Sequence, residues 1–374
     1  MTRWTIRAAV ALTAWLLLGT SNPDLRLERQ ASAQAAASPS LPARLSDVEF
    51  WKLVDEISEP GGYFRITDNY TSNEGEIGRL ATMLRDGNVS GGVFLGVGPE
   101  QNFSYIAAIR PALAFVIDIR RQAVMQHLMF KAVFEMAPDR ADFIALLFSK
   151  PRPAGLDAST PIQKIWEAFT PVTTDRESSP KTFARIVERL TKTHGFTFTA
   201  DESGQLDAVF QAFQSFGPSI TTRGSGGGGG NSWTFADLTG WMTDDNGQVQ
   251  SFLSTEDNYR YIKTLHERNL IVPVSGDFAG PKTIRAIGAY VQERQATVTA
   301  FYLSNVESYL FQDGKEAAFI ENAAKLPITP ASVFIRPYSM RSGLSRPLCP
   351  IGAFVETFKA GRVFTNNQAL ACGQ

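Results

Sequence analysis

Histidine and cysteine are scarce here, at three and two among 374 residues. His127, His194 and His266 stand far apart with no companions at metal-ligand spacing, which argues against a zinc site. Charge of one sign is also missing: Lys+Arg is 36 against Asp+Glu 37, so no basic field exists to hold nucleic acid. No Gly-x-Ser-x-Gly elbow occurs, and the run Gly224 to Gly230 lacks the Gly-Lys-Ser/Thr ending of a phosphate loop. That run reads as a flexible loop, with a mobile lid as the lesser option. After the N-terminal leader no stretch of 18 consecutive apolar residues remains, so no membrane span is expected in the mature body.

What is present describes an ordinary folded body. Hydrophobic residues make up 44% of the chain and include 26 Phe, enough for a large aromatic core. Arg3 and Arg7 precede the apolar run Ala8 to Leu18, and small-residue cleavage patterns occur at Ala31-Ser32-Ala33 and Ala33-Gln34-Ala35. Residues 1–35 therefore read as a signal peptide sending the protein to the periplasm or outside, with an uncleaved anchor as the alternative. Residues 36–45 form a linker. Cys349 and Cys372 lie 23 positions apart and are expected to pair in an oxidising compartment, the alternative being two free thiols.

The most informative stretch is Val93-Phe94-Leu95-Gly96-Val97-Gly98-Pro99-Glu100. A buried strand enters a Gly-x-Gly turn, a short helix follows, and a second buried strand, Phe115-Val116-Ile117-Asp118, ends in an acid. Asp118 lies 20 residues after Gly98, the spacing of a Rossmann-like βαβ unit, although the third glycine of that fingerprint is missing. Helices are expected over Asp47 to Ile57, capped by Ser46 with Glu49, and from Thr71-Ser72-Asn73-Glu74 to about Arg85. Further helices are expected over Gln122 to Met136 and Arg140 to Phe148, and residues 150–222 read as a helical insertion with helices at Lys181 to Lys192 and Leu206 to Phe216. A second block alternates again. A helix from Glu256 to Arg268 precedes the strand Leu270 to Val274, and a helix from Pro281 to Arg294 precedes the strand Val298 to Leu303. A helix from Val306 to Ala324 and a strand Ser332 to Arg336 follow, and residues 346–374 are left as a C-terminal tail. The fold class is α/β, Rossmann-like, with a mostly parallel sheet covered by helices on both faces, in one domain over 46–345.

Ligands of such sheets bind beyond the carboxyl ends of the strands, which selects a set of polar residues. Gly96, Gly98, Glu100 and Asn102 follow the first strand and Asp118 ends the second; these five are the cofactor-side candidates. Asp277 follows the third strand, and Asn305 with Glu307 follow the fourth. For Asp277 and Asn305 a helix-capping role is an equal alternative. The phrase Ser72-Asn73-Glu74 resembles Ser304-Asn305-Val306-Glu307, and the two could face one crevice with Asp68 nearby. The substrate-side candidates are thus Asp68, Asn73, Asp277, Asn305 and Glu307. Arg120 and Arg121 could meet an anion, and Trp233, Phe235 and Trp241 could wall an apolar pocket, though solvated charge and core packing are their default roles.

Gly98-Pro99-Glu100-Gln101-Asn102-Phe103, Asp118-Ile119-Arg120-Arg121 and Phe301-Tyr302-Leu303-Ser304-Asn305-Val306-Glu307 are similar to an uncharacterised bacterial family first noted in Leptospira. The order of elements resembles the class I S-adenosylmethionine-dependent methyltransferase fold over residues 45–345. The resemblance implies S-adenosylmethionine as a cofactor, with Gly96 and Gly98 admitting its methionine end and Asp118 binding ribose hydroxyls. Asp277 or Asn305 would then border the substrate. Phe94 stands where many methyltransferases place an acid, and an exported enzyme would be separated from this cytosolic cofactor. Two other functions remain open: a noncatalytic envelope protein binding a small polar ligand or partner, and a hydrolase holding a hard cation on Glu100, Asp118, Asp277 and Glu307.

Overall fold

Six short strands form a single sheet in the order β3-β2-β1-β4-β5-β6. The structure is a computed structural model and describes residues 40–64, 68–224, 233–337 and 346–373. The expected leader, residues 36–39 of the linker and the glycine run from 225 onward lie outside the described residues.

The first five strands are parallel: β1 (Val93–Val97) pairs with β2 (Leu113–Asp118) and β4 (Val298–Tyr302), β2 with β3 (Ile271–Ser275), and β4 with β5 (Val333–Ile335). The chain leaves β1 outward to β2 and β3, then returns across the sheet to β4, so the strand order reverses between β1 and β4. Every residue of β1, β2, β3 and β5 is buried, as expected when helices cover both faces. Pro273 sits inside β3 because β3 is an edge strand with one neighbour, where a missing N–H is tolerated.

Between the strands lie α1 (Asp47–Ile57), α2 (Ile77–Asp86), α3 (Gln101–Ile109), α4 (Arg121–Met136) and α5 (Arg140–Leu147). The capping box of Ser46 and Glu49 is present at the start of α1. The insertion is helical: α6 (Ile162–Phe169), α7 (Ser179–Glu188) continued by a π-turn, α8 (Ala200–Phe216) and the short α9 (Phe235–Gly240). Of these, α6 and α9 are additional to the expected pattern. Then come α10 (Glu256–Glu267), α11 (Thr283–Glu293), α12 (Val306–Asp313) and α13 (Glu316–Ala323). The core is aromatic. Phe103 of α3 makes edge-on contacts with Phe130, Phe134, Phe252, His127 and His266, with ring centroids 5.4–5.6 Å apart.

Four boundaries differ from expectation. The helix expected from Thr71 begins at Ile77, because the side chains of Thr71 and Ser72 are committed to Glu100 and Gln101 across the fold. The helix expected from Pro281 begins at Thr283, where Glu59 supplies the cap. The long helix expected from Val306 breaks at Gly314, which takes the left-handed conformation (φ 64°) and separates α12 from α13. The expected tail instead supplies β6 (Leu348–Pro350), antiparallel to β5, then α14 (Ile351–Lys359) and α15 (Asn366–Leu370). Cys349 of β6 is disulfide-bonded to Cys372, with Cα atoms 5.7 Å apart. Among the described residues no helix is long and apolar enough to cross a membrane.

Candidate functional site

The reversal of strand order opens a cavity of about 190 Å³ beyond the carboxyl ends of β1, β2, β3 and β4. Gly98, Asp118, Asp277 and Asn305 line it from these four strand ends, and Asn69, Ser72 and Asn73 line it from the segment before α2. Two larger hollows, of about 510 and 310 Å³, lie among the helices of the insertion and receive no strand end.

The Gly-x-Gly turn is built from within. Asn102 is fully buried, and its amide nitrogen donates to the carbonyls of Val97, Gly98 and Pro99 at 2.9, 3.1 and 2.8 Å. A methyl group on Gly96 would lie 1.9 Å from the Asn102 Oδ1 atom. Gly96 therefore makes room for Asn102, and neither residue lines the cavity. His127 supports the same turn, its Nε2 atom 2.9 Å from the Gly98 carbonyl. That nitrogen must carry the proton to donate, and burial lowers the pKa of His127, keeping the ring neutral. Gly98 is the residue presented to the cavity. Its φ of 78° is in the region glycine favours, and only Asn69 comes within 4 Å of where a side chain would stand.

Glu100 turns away from the cavity. Its Oε1 accepts the Thr71 hydroxyl at 2.5 Å and the Ser72 N–H at 3.2 Å, while Oε2 is buried without a partner among the described residues. Burial pushes its pKa up to about 7, against the lowering effect of those hydrogen bonds. Glu307 is also removed from the site. It forms a buried two-pronged pair with Arg336 at 2.5 and 2.8 Å, and Arg336 in turn stacks on Phe354.

Asp118 does line the cavity, already engaged by Arg120: Nε meets Oδ1 at 3.0 Å and Nη2 meets Oδ2 at 2.9 Å. Arg121 pairs with Glu202 at 2.7 Å. Asp277 closes its own turn through the Ala279 N–H at 2.9 Å and caps no helix, since Glu59 accepts the N–H groups at the start of α11. Its other oxygen lies 3.3 Å from the Lys315 ammonium. Asn305 precedes α12 but makes no side-chain cap, and its amide bonds nothing among the described residues. Asn73 is exposed at the cavity, whereas Asp68 does not line it and accepts the Tyr70 hydroxyl at 3.4 Å.

The acids meant for a hard cation do not converge, since only Asp118 and Asp277 reach the cavity and each faces a cation of the protein. Among the described residues no three His, Cys, Asp or Glu side chains are grouped to hold a metal. Trp233 covers Gly75, Phe235 is core, and Trp241 is half-exposed; none walls the cavity. The apolar surface comes from Phe64, Ile119, Phe278, Val306 and Tyr309, with Phe64 and Tyr309 edge-on at 4.9 Å.

The two similar phrases do meet. Ser72, Asn73, Ser304 and Asn305 all line the cavity, and the Ser304 hydroxyl donates to Glu74 Oε1 at 2.5 Å. Behind this contact Gln101 joins Ser72 to Tyr105, the latter at 2.5 Å. Glu74 was visible only as part of the repeated phrase. Its importance comes from Ser304, 230 positions away, and no local spacing could reveal that pairing.

The fold and the cavity thus define a Rossmann-like α/β protein with a polar site at its strand-order reversal. The chain belongs to the family described as Domain of unknown function (DUF7790), which matches residues 70–203 and 237–350. Both walls of the cavity, Ser72–Asn73 with Gly98 and Asp118 on one side and Asp277 with Ser304–Asn305 on the other, fall within the matched segments. No curated protein matches the chain.

Proposed function

We propose that this protein binds a small, uncharged or zwitterionic polar molecule in the cavity between Gly98 and Asn305. One observation carries the reading. Asn69, Asn73 and Asn305 line the cavity, and none of their amides is hydrogen-bonded among the described residues, so three donor–acceptor groups are available to a ligand. Asp118 and Asp277 at the walls are paired with Arg120 and Lys315, and the remaining wall carboxylate, Asp313, disfavours an anion. Apolar surface beside the amides suits a ligand with a hydrocarbon part. A saturation-transfer NMR screen of amide, polyol and amino-acid fragments against the full chain tests this: Asn305→Leu is expected to weaken the hits at least tenfold, and undiminished hits would contradict it.

A second reading, favoured by the Gly98–Asp118 arrangement, is a methyltransferase-like protein holding S-adenosylmethionine. Gly98 offers open backbone and Asp118 stands at the end of the neighbouring strand, as the resemblance implies. The Arg120 fork on Asp118 and the inward-facing Glu100 and Asn102 count against it. Calorimetric titration decides: heat from S-adenosylmethionine that Asp118→Ala removes supports this reading, and no heat at millimolar concentration ends it. Export remains part of the proposal, supported by the leader-like N-terminus and by the Cys349–Cys372 bond, which suits an oxidising compartment.

A further inference from the structure

Seven residues other than glycine adopt positive φ among the described residues. Six of them, Asn88, Arg110, Ser149, Asn269, Gln295 and Cys372, stand at or just past the end of a helix, where the left-handed conformation closes the last turn. Ser304 is different. With φ 47° it lies between the end of β4 and the start of α12, and the residue lines the cavity. A serine held in this conformation on a strand-to-helix turn is how some hydrolases expose a nucleophile, and backbone strain of this kind gathers at functional sites. The second requirement is a base within hydrogen-bond reach, and Glu74 accepts the Ser304 hydroxyl at 2.5 Å.

We infer that Ser304 and Glu74 form a nucleophile–base pair that cleaves an ester whose alcohol or acyl part is polar and whose remainder is short and apolar. The inference rests on the cavity being the ligand site. Burial raises the pKa of Glu74, countered by hydrogen bonds from Ser304, Tyr302 and Gln101, which makes its carboxylate a stronger proton acceptor than an exposed one. Ser304 Oγ attacks the ester carbonyl carbon while its proton passes to Glu74 Oε1. The negative oxygen so formed is met by the uncommitted amide of Asn305, one residue onward. Collapse breaks the ester C–O bond, and the departing alkoxide takes the proton from Glu74. Water then attacks acyl-Ser304 with Glu74 accepting its proton, and the second collapse releases the acid and returns the proton to Ser304 Oγ. Phe64 and Tyr309 supply the apolar wall for the hydrocarbon part.

The test is covalent labelling of the full chain with an alkyl fluorophosphonate, read by intact mass and peptide mapping. A single adduct on Ser304 is expected, absent in Ser304→Ala and in Ser304→Gly. The glycine variant tolerates φ 47°, so its loss of labelling cannot be ascribed to misfolding. Labelling should speed up as pH rises through the raised Glu74 pKa, and Glu74→Gln should slow it at least about 100-fold and flatten that profile. No adduct on Ser304, or equal rates and profiles with and without Glu74, would overturn the pair. Fragment binding measured on the same samples separates the two claims. Binding without labelling removes the nucleophile and leaves the cavity reading, whereas loss of binding in the unaltered chain removes both.

Discussion

Glu100 shows how burial and partners decide the role of one carboxyl group. Its position after the Gly-x-Gly turn suggests a ligand-facing acid, yet the side chain joins Thr71 and Ser72 inside the protein. With a folded pKa of about 7 against an ordinary 4.5, the folded state favours the protonated form. That contribution to stability is complete below pH 4.5 and is lost as pH rises through 7. Compared with Glu100→Gln, the unaltered protein should therefore lose about 3 kcal/mol of relative stability between pH 4 and pH 8. Urea denaturation of both proteins across that range checks this, and parallel curves would refute it. Gly96 and Asn102 carry the same lesson. Their types were legible as part of a turn, but only the packed structure shows that one makes space for the other.

At the scale of elements, the βαβ unit was readable because parallel strands buried on both faces appear as unbroken apolar runs, as in Val93–Val97 and Leu113–Asp118. The strand-end rule also found Gly98, Asp118, Asp277 and Asn305 on the cavity. It failed for Gly96, Glu100 and Asn102, which pack behind the turn, and for Glu307, whose partner Arg336 arrives from the end of the next strand. Helix starts were misplaced where a distant side chain provides the cap. Glu59, just past α1, accepts the N–H groups of Asp277, Lys282 and Thr283 at 3.1, 2.8 and 3.1 Å, so it holds both the start of α11 and the turn bearing Asp277. Glu59→Ala should cost about 1–2 kcal/mol by thermal or chemical denaturation and should also weaken ligand binding through Asp277. A stability loss with binding unchanged would separate Asp277 from the site.

Across the whole molecule, residues taken for a tail complete the sheet. β6 pairs with β5, and the Cys349–Cys372 bond ties the last helix back to that strand. Opening the bond by Cys372→Ala should lower stability by about 3 kcal/mol, seen as an earlier urea midpoint that matches the reduced unaltered protein. An unchanged midpoint would mean the terminal segment stays docked without it. The tail was unreadable because β6 is three residues long and takes its register from a partner strand. The fold class was legible in outline, and the separation of the cavity-lining residues from the structural ones required their distant partners. The most direct measurement is the position of electron density for the strongest fragment soaked into crystals of the protein. The account predicts density between Gly98 and Asn305, within hydrogen-bond distance of the Asn73 or Asn305 amide. Density confined to the larger hollow beside Asp142 and Arg185, with the cavity at the strand ends empty, would contradict it.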